Sequence, residues 1–423
     1  MKKILISIIA IFILCGVVFT QNQSSKFDFT SDELKPVSDS FRKCPQDIFT
    51  NPSYEEIDVR MCDLSNYDLS SLPEETLDRL TFDDKTIWPK VMPEWLNIRK
   101  IYQIGKTPGL NIKNLHSQGI TGKGVSIAII DQPLSPHQEY NKNIAFYKDF
   151  TKSECGSMHG AAVTSIAVGK NVGVAPEAKV YYIAGNFTDY NKEKRIFNAD
   201  LIAENIEYLL ELNKTLPQDQ KIFVISISRG FGDMDHGRDR FLQTVKNAEK
   251  QGVLVLTTEG TDGSVFTISR NGYYADPDKI TSYTKPAYWF GENIRYYNNI
   301  EDISVPTDYR VISSHTGIND YVAYANGGLS WGVPYLAGIA ALAKQVNPRL
   351  TPQEFLDVAF ETAQSVQVKN KSGQSINYNR FTNPQALIQK VKSRRSQSQN
   401  TSEEENINNL EKALKSLQKN FRK

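Results

Sequence analysis

GKGVSIAIID, residues Gly122–Asp131, is the stretch on which the fold turns. Its run Val125–Ile130 is nearly continuous in apolar, mostly β-branched residues, the pattern of a strand buried on both faces. Outward from it, the same texture repeats. KVYYIA (Lys179–Ala184), KIFVISIS (Lys221–Ser228) and VLVLTT (Val253–Thr258) read as further strands. HGAAVTSIAVG (His159–Gly169), NADLIAENIEYLLELN (Asn198–Asn213) and DRFLQTVKNAEKQG (Asp239–Gly252) read as helices between them, the second with Leu201, Ile202, Asn205 and Leu209 on one face. Strands alternating with helices predict an α/β fold: three αβα layers around a mostly parallel central sheet. In such sheets ligands sit at the carboxyl ends of the strands. Asp131 stands at one such end and Thr261 just past another.

The chain has 423 residues, enough for one large catalytic domain with flanking segments. Lys and Arg total 49 against 48 Asp and Glu, so no global field draws it to nucleic acid or an anionic membrane. Residues 1–20 read as an export signal or N-terminal anchor: Lys2 and Lys3 precede the apolar run Ile4–Phe19. That run is short for a span, which takes about 20 residues. No small-x-small cleavage site follows, and Leu14 before Cys15 spoils a lipoprotein box. Export is expected either way, with the membrane touched only through this segment if it is retained. Cys44 and Cys62 either pair in an oxidising compartment or stay as thiols, and Cys155 is left over. Residues 21–97 are polar with one short helix in SLPEETLDRLTF, and 98–393 form the main domain. Residues 394–423 are a charged linker and an amphipathic helix through Ile407, Leu410, Leu414, Leu417 and Phe421 that docks intramolecularly, docks on a partner or frays.

Three local patterns point to chemistry. The strand ends in Asp131. His159 opens a helix of small residues. NGGLSWGVPYLAG (Asn326–Gly338) places Ser330 after two glycines at the mouth of an apolar helix, with Pro334 in its first turns. Singly, each has a plainer reading: a turn cap, a core histidine, an N-cap serine. Together, in the order Asp, His, Ser, they resemble the subtilisin-type serine peptidases (subtilase family) over roughly residues 111–393. GVSIAIIDQPLSPH, MHGAAVTSIAVGKNVGVAPEAKV and GLSWGVPYLAGIAALA are similar to that family's Asp, His and Ser segments. The resemblance implies Ser330 as nucleophile, His159 as general base and then acid, and Asp131 as the carboxylate that orients the imidazole. His137, His236 and His315 are rival bases, but none opens a small-residue helix.

The resemblance carries further expectations. SRG (Ser228, Arg229, Gly230) matches the family's substrate edge, where an extended peptide adds by main-chain hydrogen bonds; Arg229 there would suit acidic side chains or be merely an exposed arginine. In GVLVLTTEGT (Gly252–Thr261), Thr261 falls where the family has its oxyanion-donating Asn. An oxyanion hole of Thr261 and the Ser330 backbone N–H is the expectation; the alternative leaves Thr261 a turn residue. Other departures are Ala162, Leu329, Val333 and Tyr335. No cofactor is required. The family often carries structural calcium, but no binding loop matches here residue by residue. Residues 21–97 stand where the family carries a propeptide, the alternative being a retained accessory region. The activity implied is an exported serine endopeptidase acting on proteins or peptides and made as a zymogen. A pseudopeptidase that grips peptides without cutting is the competing function. A third, an α/β hydrolase with a G-x-S-x-G elbow at Gly328–Gly332, would require Ser before Asp and His in the chain.

Overall fold

The apolar run forms a strand buried along its whole length, β3 (Ser126–Asp131). Successive side chains point to opposite faces of a strand, and here they enter two separate cores. Ile127 and Ile129 join one, Ala128 and Ile130 the other. A strand with an apolar core on each side needs helices on both faces. In the computed structural model of the chain, α4 (Met158–Val168) and α7 (Leu329–Val346) supply the first face. Helices α5 (Ala199–Thr215) and α6 (Arg238–Lys250) supply the second. The structure describes residues 27–38, 44–45, 47–50, 56–191, 194–232, 235–258, 261, 264–284, 303–369, 375–397, 410 and 412.

β3 pairs in parallel with β5 (Lys179–Ala184) and β8 (Ile222–Ile227). Outside them lie β4 (Ile144–Asp149) and β9 (Leu254–Leu256), giving the all-parallel order β4-β5-β3-β8-β9. A hairpin, β6 (Thr188–Asn191) and β7 (Lys194–Phe197), precedes α5. A bridge from Thr257 to Ser264 carries the line on to β10 (Val265–Arg270). That strand belongs to a second sheet with β11 (Tyr283–Thr284), β12 (Ile303–Pro306), β15 (Gln364–Lys369) and β16 (Ser375–Phe381). The three-layer αβα architecture is therefore as the sequence implied.

The N-terminal part is more ordered than its polar composition suggested. SLPEETLDRLTF holds a single turn of helix, α1 (Glu74–Leu77), and then strand β2 (Leu80–Asp83). β2 lies between β1 (Ile57–Asp58) and β14 (Tyr321–Tyr324), with β13 (Arg310–Ser313) beyond. Helices α2 (Ile98–Gly105) and α3 (Ile112–Ser117) lead into the main body. Cys44 and Cys62 are joined in a disulfide, and Cys155 is a free, exposed thiol.

Near the other end, α8 (Pro352–Glu361) starts with the capping box of Thr351 and Glu354. A helix over 384–397, α9, runs through the start of the expected linker. Arg394 donates to Glu361 at 2.6 Å and Arg395 to the Val346 carbonyl at 2.6 Å, which holds the helix past residue 393. The leader 1–20 and most of the amphipathic segment 407–421 lie outside the described residues. Among the described residues no helix is long and apolar enough to cross a membrane.

Phe82 on β2 is fully buried, with Trp88, Tyr102 and Tyr273 around its ring. Tyr273 belongs to the main body, so Phe82→Ala should loosen the N-terminal layer from it. A loss of about 3–5 kcal/mol in urea unfolding is expected.

Candidate active site

Asp131 ends β3 and is 3% exposed. One carboxylate oxygen accepts the Gln132 N–H at 2.8 Å, and the same oxygen lies 2.7 Å from His159 Nδ1. His159 reaches it because α4 begins there. Ser157 caps that helix, its hydroxyl accepting the Gly160 N–H at 3.1 Å. Gly160 lets the helix press against the strand end: a Cβ there would fall 2.7 Å from the Gln132 carbonyl oxygen and 2.7 Å from the Tyr182 hydroxyl. A carboxylate only accepts, so Nδ1 carries the proton and Nε2 keeps its lone pair. Burial pulls the imidazole pKa down, but the charge and hydrogen bond of Asp131 more than offset this, and the net shift is upward.

Ser330 is the second residue of α7. Gly328 caps the helix with φ +67° and ψ 178°, a backbone shape that suits glycine. Pro334 stands sixth in the helix, within its first two turns, as the sequence reading had it. It has no N–H for the carbonyl four residues back, which is that of Ser330. That carbonyl instead accepts the Ser228 hydroxyl at 2.9 Å. The Ser330 hydroxyl in turn makes a long 3.5 Å bond to the Ser228 carbonyl. Pro334 thus frees an acceptor, and Ser228 uses it to fasten the start of α7 to the end of β8.

His159 and Ser330 line one cavity of about 740 Å³, together with Ser228, Arg229, Gly230 and Asn326–Leu329. Trp331 floors it, its ring 5.4 Å from that of His159 and 5.5 Å from that of Tyr324. Arg229 is exposed, with its guanidinium 3.9 Å over the Phe197 ring. Thr258 lines the cavity and Thr261 does not. The Thr261 hydroxyl lies 3.0 Å from that of Thr257, and its carbonyl accepts the Ser264 hydroxyl at 2.6 Å. A larger cavity of about 840 Å³ opens at the amino ends of β3 and β8, but its lining of Lys123, Lys214, Lys221, Lys344 and their neighbours holds no hydroxyl, thiol or imidazole.

The rival histidines are held elsewhere. His137 is buried, its Nδ1 accepting the Glu139 N–H and its Nε2 donating to the Asp320 carbonyl. His236 stands beside Asn198 and Asp200. His315 is pushed down to about 4 by burial, with Arg60 and Lys85 adding to the effect. The sequence reading missed Trp331, Tyr324, Glu56 and Arg60 as cleft residues. Trp331 had a signal, its place directly after Ser330; the others come from segments with no local mark. Among the described residues no group of three or more His, Cys, Asp or Glu could hold a metal ion.

Comparison with known proteins agrees with this architecture. The profile of the Subtilase family matches residues 122–385, and the chain belongs to that family. It is 27% identical over 313 residues to the serine protease AprX of Bacillus subtilis (strain 168), covering 62% of this chain and 69% of that protein. It is 26% identical over 277 residues to subtilisin BL of Lederbergia lenta, covering 62% and 91%. The minor extracellular protease Epr of Bacillus subtilis (strain 168) is 23% identical over 256 residues, with 57% and 35% covered. Among solved structures, the prenylagaramide maturation protease PagA aligns with TM-score 0.47 at 15% identity over 66% of this chain and 98% of its own. The family's members named here are proteases, so proteins or peptides are its class of substrate.

The Asp131–His159 pair has a pH signature. The folded imidazole titrates above its ordinary value of 6.5. The pair therefore stabilises the fold fully below that value, and the contribution fades as pH rises through the raised one. Asp131→Asn should lower the His159 midpoint in an NMR titration; an unmoved midpoint would mean that the carboxylate does not govern it.

Proposed function

We propose that the protein is an exported serine endopeptidase that hydrolyses peptide bonds through Ser330, His159 and Asp131. One observation carries the reading: His159, hydrogen-bonded to Asp131 at 2.7 Å, lines the same cavity as Ser330. A serine hydroxyl is a weak nucleophile near neutral pH. In this reading the Ser330 hydroxyl leaves its long bond to the Ser228 carbonyl and donates to His159 Nε2. As Oγ attacks the substrate carbonyl carbon, its proton passes to Nε2, and Asp131 steadies the imidazolium. Collapse of the tetrahedral intermediate breaks the C–N bond, and the same proton goes to the departing amine. Water then attacks the acyl-serine ester, giving its proton to His159, and the acid product leaves as Oγ regains one.

The oxyanion forms at the amino end of α7. First-turn N–H groups have no acceptor within their own helix, and the helix dipole favours negative charge there. The Ser330 N–H is one donor. Thr261 is the second in this reading, its hydroxyl supported by the Thr257 hydroxyl 3.0 Å away. Thr261→Val should lower kcat by at least about tenfold; an unchanged kcat would remove Thr261 from the mechanism. The substrate backbone lies along Ser228–Gly230, adding as a strand beside β8.

Export rests on the apolar leader Ile4–Phe19 and on the Cys44–Cys62 disulfide, since disulfides persist in oxidising compartments. A fluorophosphonate probe tests the whole reading. Labelling should fall on Ser330 and vanish in Ser330→Ala and His159→Ala. An unlabelled Ser330 in folded protein would favour the second reading, a peptide-binding pseudopeptidase; Thr261, outside the cavity lining, is the residue that favours it.

A further inference from the structure

Two residues in the wall of the cleft, Glu56 and Arg60, come from outside the segment that matches the family profile, which begins at residue 122. They belong to the N-terminal layer, whose position suggested a propeptide. We propose that residues 56–60 are a permanent wall of the substrate cleft in the working enzyme, and that Arg60 on that wall selects peptides with a carboxylate side chain close to the scissile bond. The proposal rests on the peptidase reading above.

The layer is built into the body that holds Ser330. β2 pairs with β14, placing Phe82 opposite Ala323 and Asp83 opposite Val322. β14 leads directly into Asn326–Ser330. The Thr81 hydroxyl accepts the Ala325 N–H at 3.0 Å, so the layer holds the chain just before the nucleophile. Val59, Leu64, Leu80 and Phe82 are fully buried in one apolar cluster with Val311 and Ala323 of the main body. Departure of the layer would strip β14 of a partner strand and bare this cluster. The Cys44–Cys62 disulfide also brackets residues 56–60, so a cut in the loop between the cysteines would not release them.

Arg60 is fixed for recognition. Its Nε and Nη2 donate to the two oxygens of Asp58 at 2.9 and 2.8 Å, and its Nη1 donates to the Tyr324 hydroxyl at 2.6 Å. The outer N–H groups of Nη1 and Nη2 remain for a substrate acceptor. A rigid guanidinium fork suits a carboxylate. Arg229 brings a second guanidinium to the same cavity, and among the described residues it forms no ion pair. The carboxylates in the lining are already engaged. Glu56 accepts the Thr81 hydroxyl, and burial draws it toward its protonated form. Asp235 accepts the Gly232 N–H at 2.8 Å. Two guanidiniums, Arg60 and Arg229, thus stand in a lining whose carboxylates are Glu56 and Asp235. Arg60 also joins the site by contact, through Tyr324 and Trp331 to His159.

The test has two arms. First, the secreted, matured protein is labelled with a fluorophosphonate and weighed intact without reduction. The labelled chain should still contain residues 56–60. A chain labelled at Ser330 that begins beyond residue 105 would overturn the proposal while leaving the peptidase reading intact, whereas absence of any label would sink that reading and the proposal with it. Second, kcat/KM is compared for peptides that differ only by Glu or Gln beside the cleaved bond. The natural protein should favour Glu by about tenfold, Arg60→Gln should bring the ratio near one, and Arg60→Lys should restore part of it. A ratio unaffected by Arg60→Gln would overturn the proposal; the weighing of the natural protein stands even if that variant does not fold.

Discussion

The whole site depends on one short contact, the bond from His159 to Asp131. It joins the end of a buried parallel strand to the first turn of a helix, 28 residues apart in the chain. The strand fixes the carboxylate because both of its faces are packed in apolar cores. The helix can come close enough only because Gly160 follows the histidine. With the carboxylate buried, its charge acts on the imidazole through little water, which is why the pair overcomes the cost of burying a cation there.

On the other side of the cleft the same logic places Ser330. A proline that would harm most helices leaves one carbonyl unpaired, and Ser228 takes it. The link ties the helix that carries Ser330 to the strand edge where the substrate backbone is proposed to lie. Ser330 and the proposed substrate edge are therefore held by one pair of reciprocal serine contacts rather than by separate elements.

Much of this was legible in the residue order. The runs at 125–131, 179–184 and 221–228 read as strands because burial on both faces leaves a continuous apolar signal. His159 and Ser330 stood out because small residues and glycines surround them. The N-terminal layer was not legible, for a physical reason. Its buried residues, such as Val59, Leu64, Leu69 and Phe82, sit in two- and four-residue strands and tight turns, so no helical or alternating period emerges. Their partners lie near residues 311–325, far along the chain. Arg60 and Glu56 reach the cleft through that long-range packing, which no local pattern records. The bond between the Thr257 and Thr261 hydroxyls was equally hidden, because no local sequence pattern records a contact between those two side chains.

The central claim is that Ser330 attacks a carbonyl with His159 as its base. A crystal structure with a peptide boronic acid tests it most directly, since boron mimics the tetrahedral carbon. The account predicts a covalent bond from Ser330 Oγ to boron, His159 Nε2 within hydrogen-bond distance of the adduct, and a boronate oxygen at the amino end of α7. A boronate bound in the cleft with Ser330 unmodified, or bonded to another residue, would contradict it.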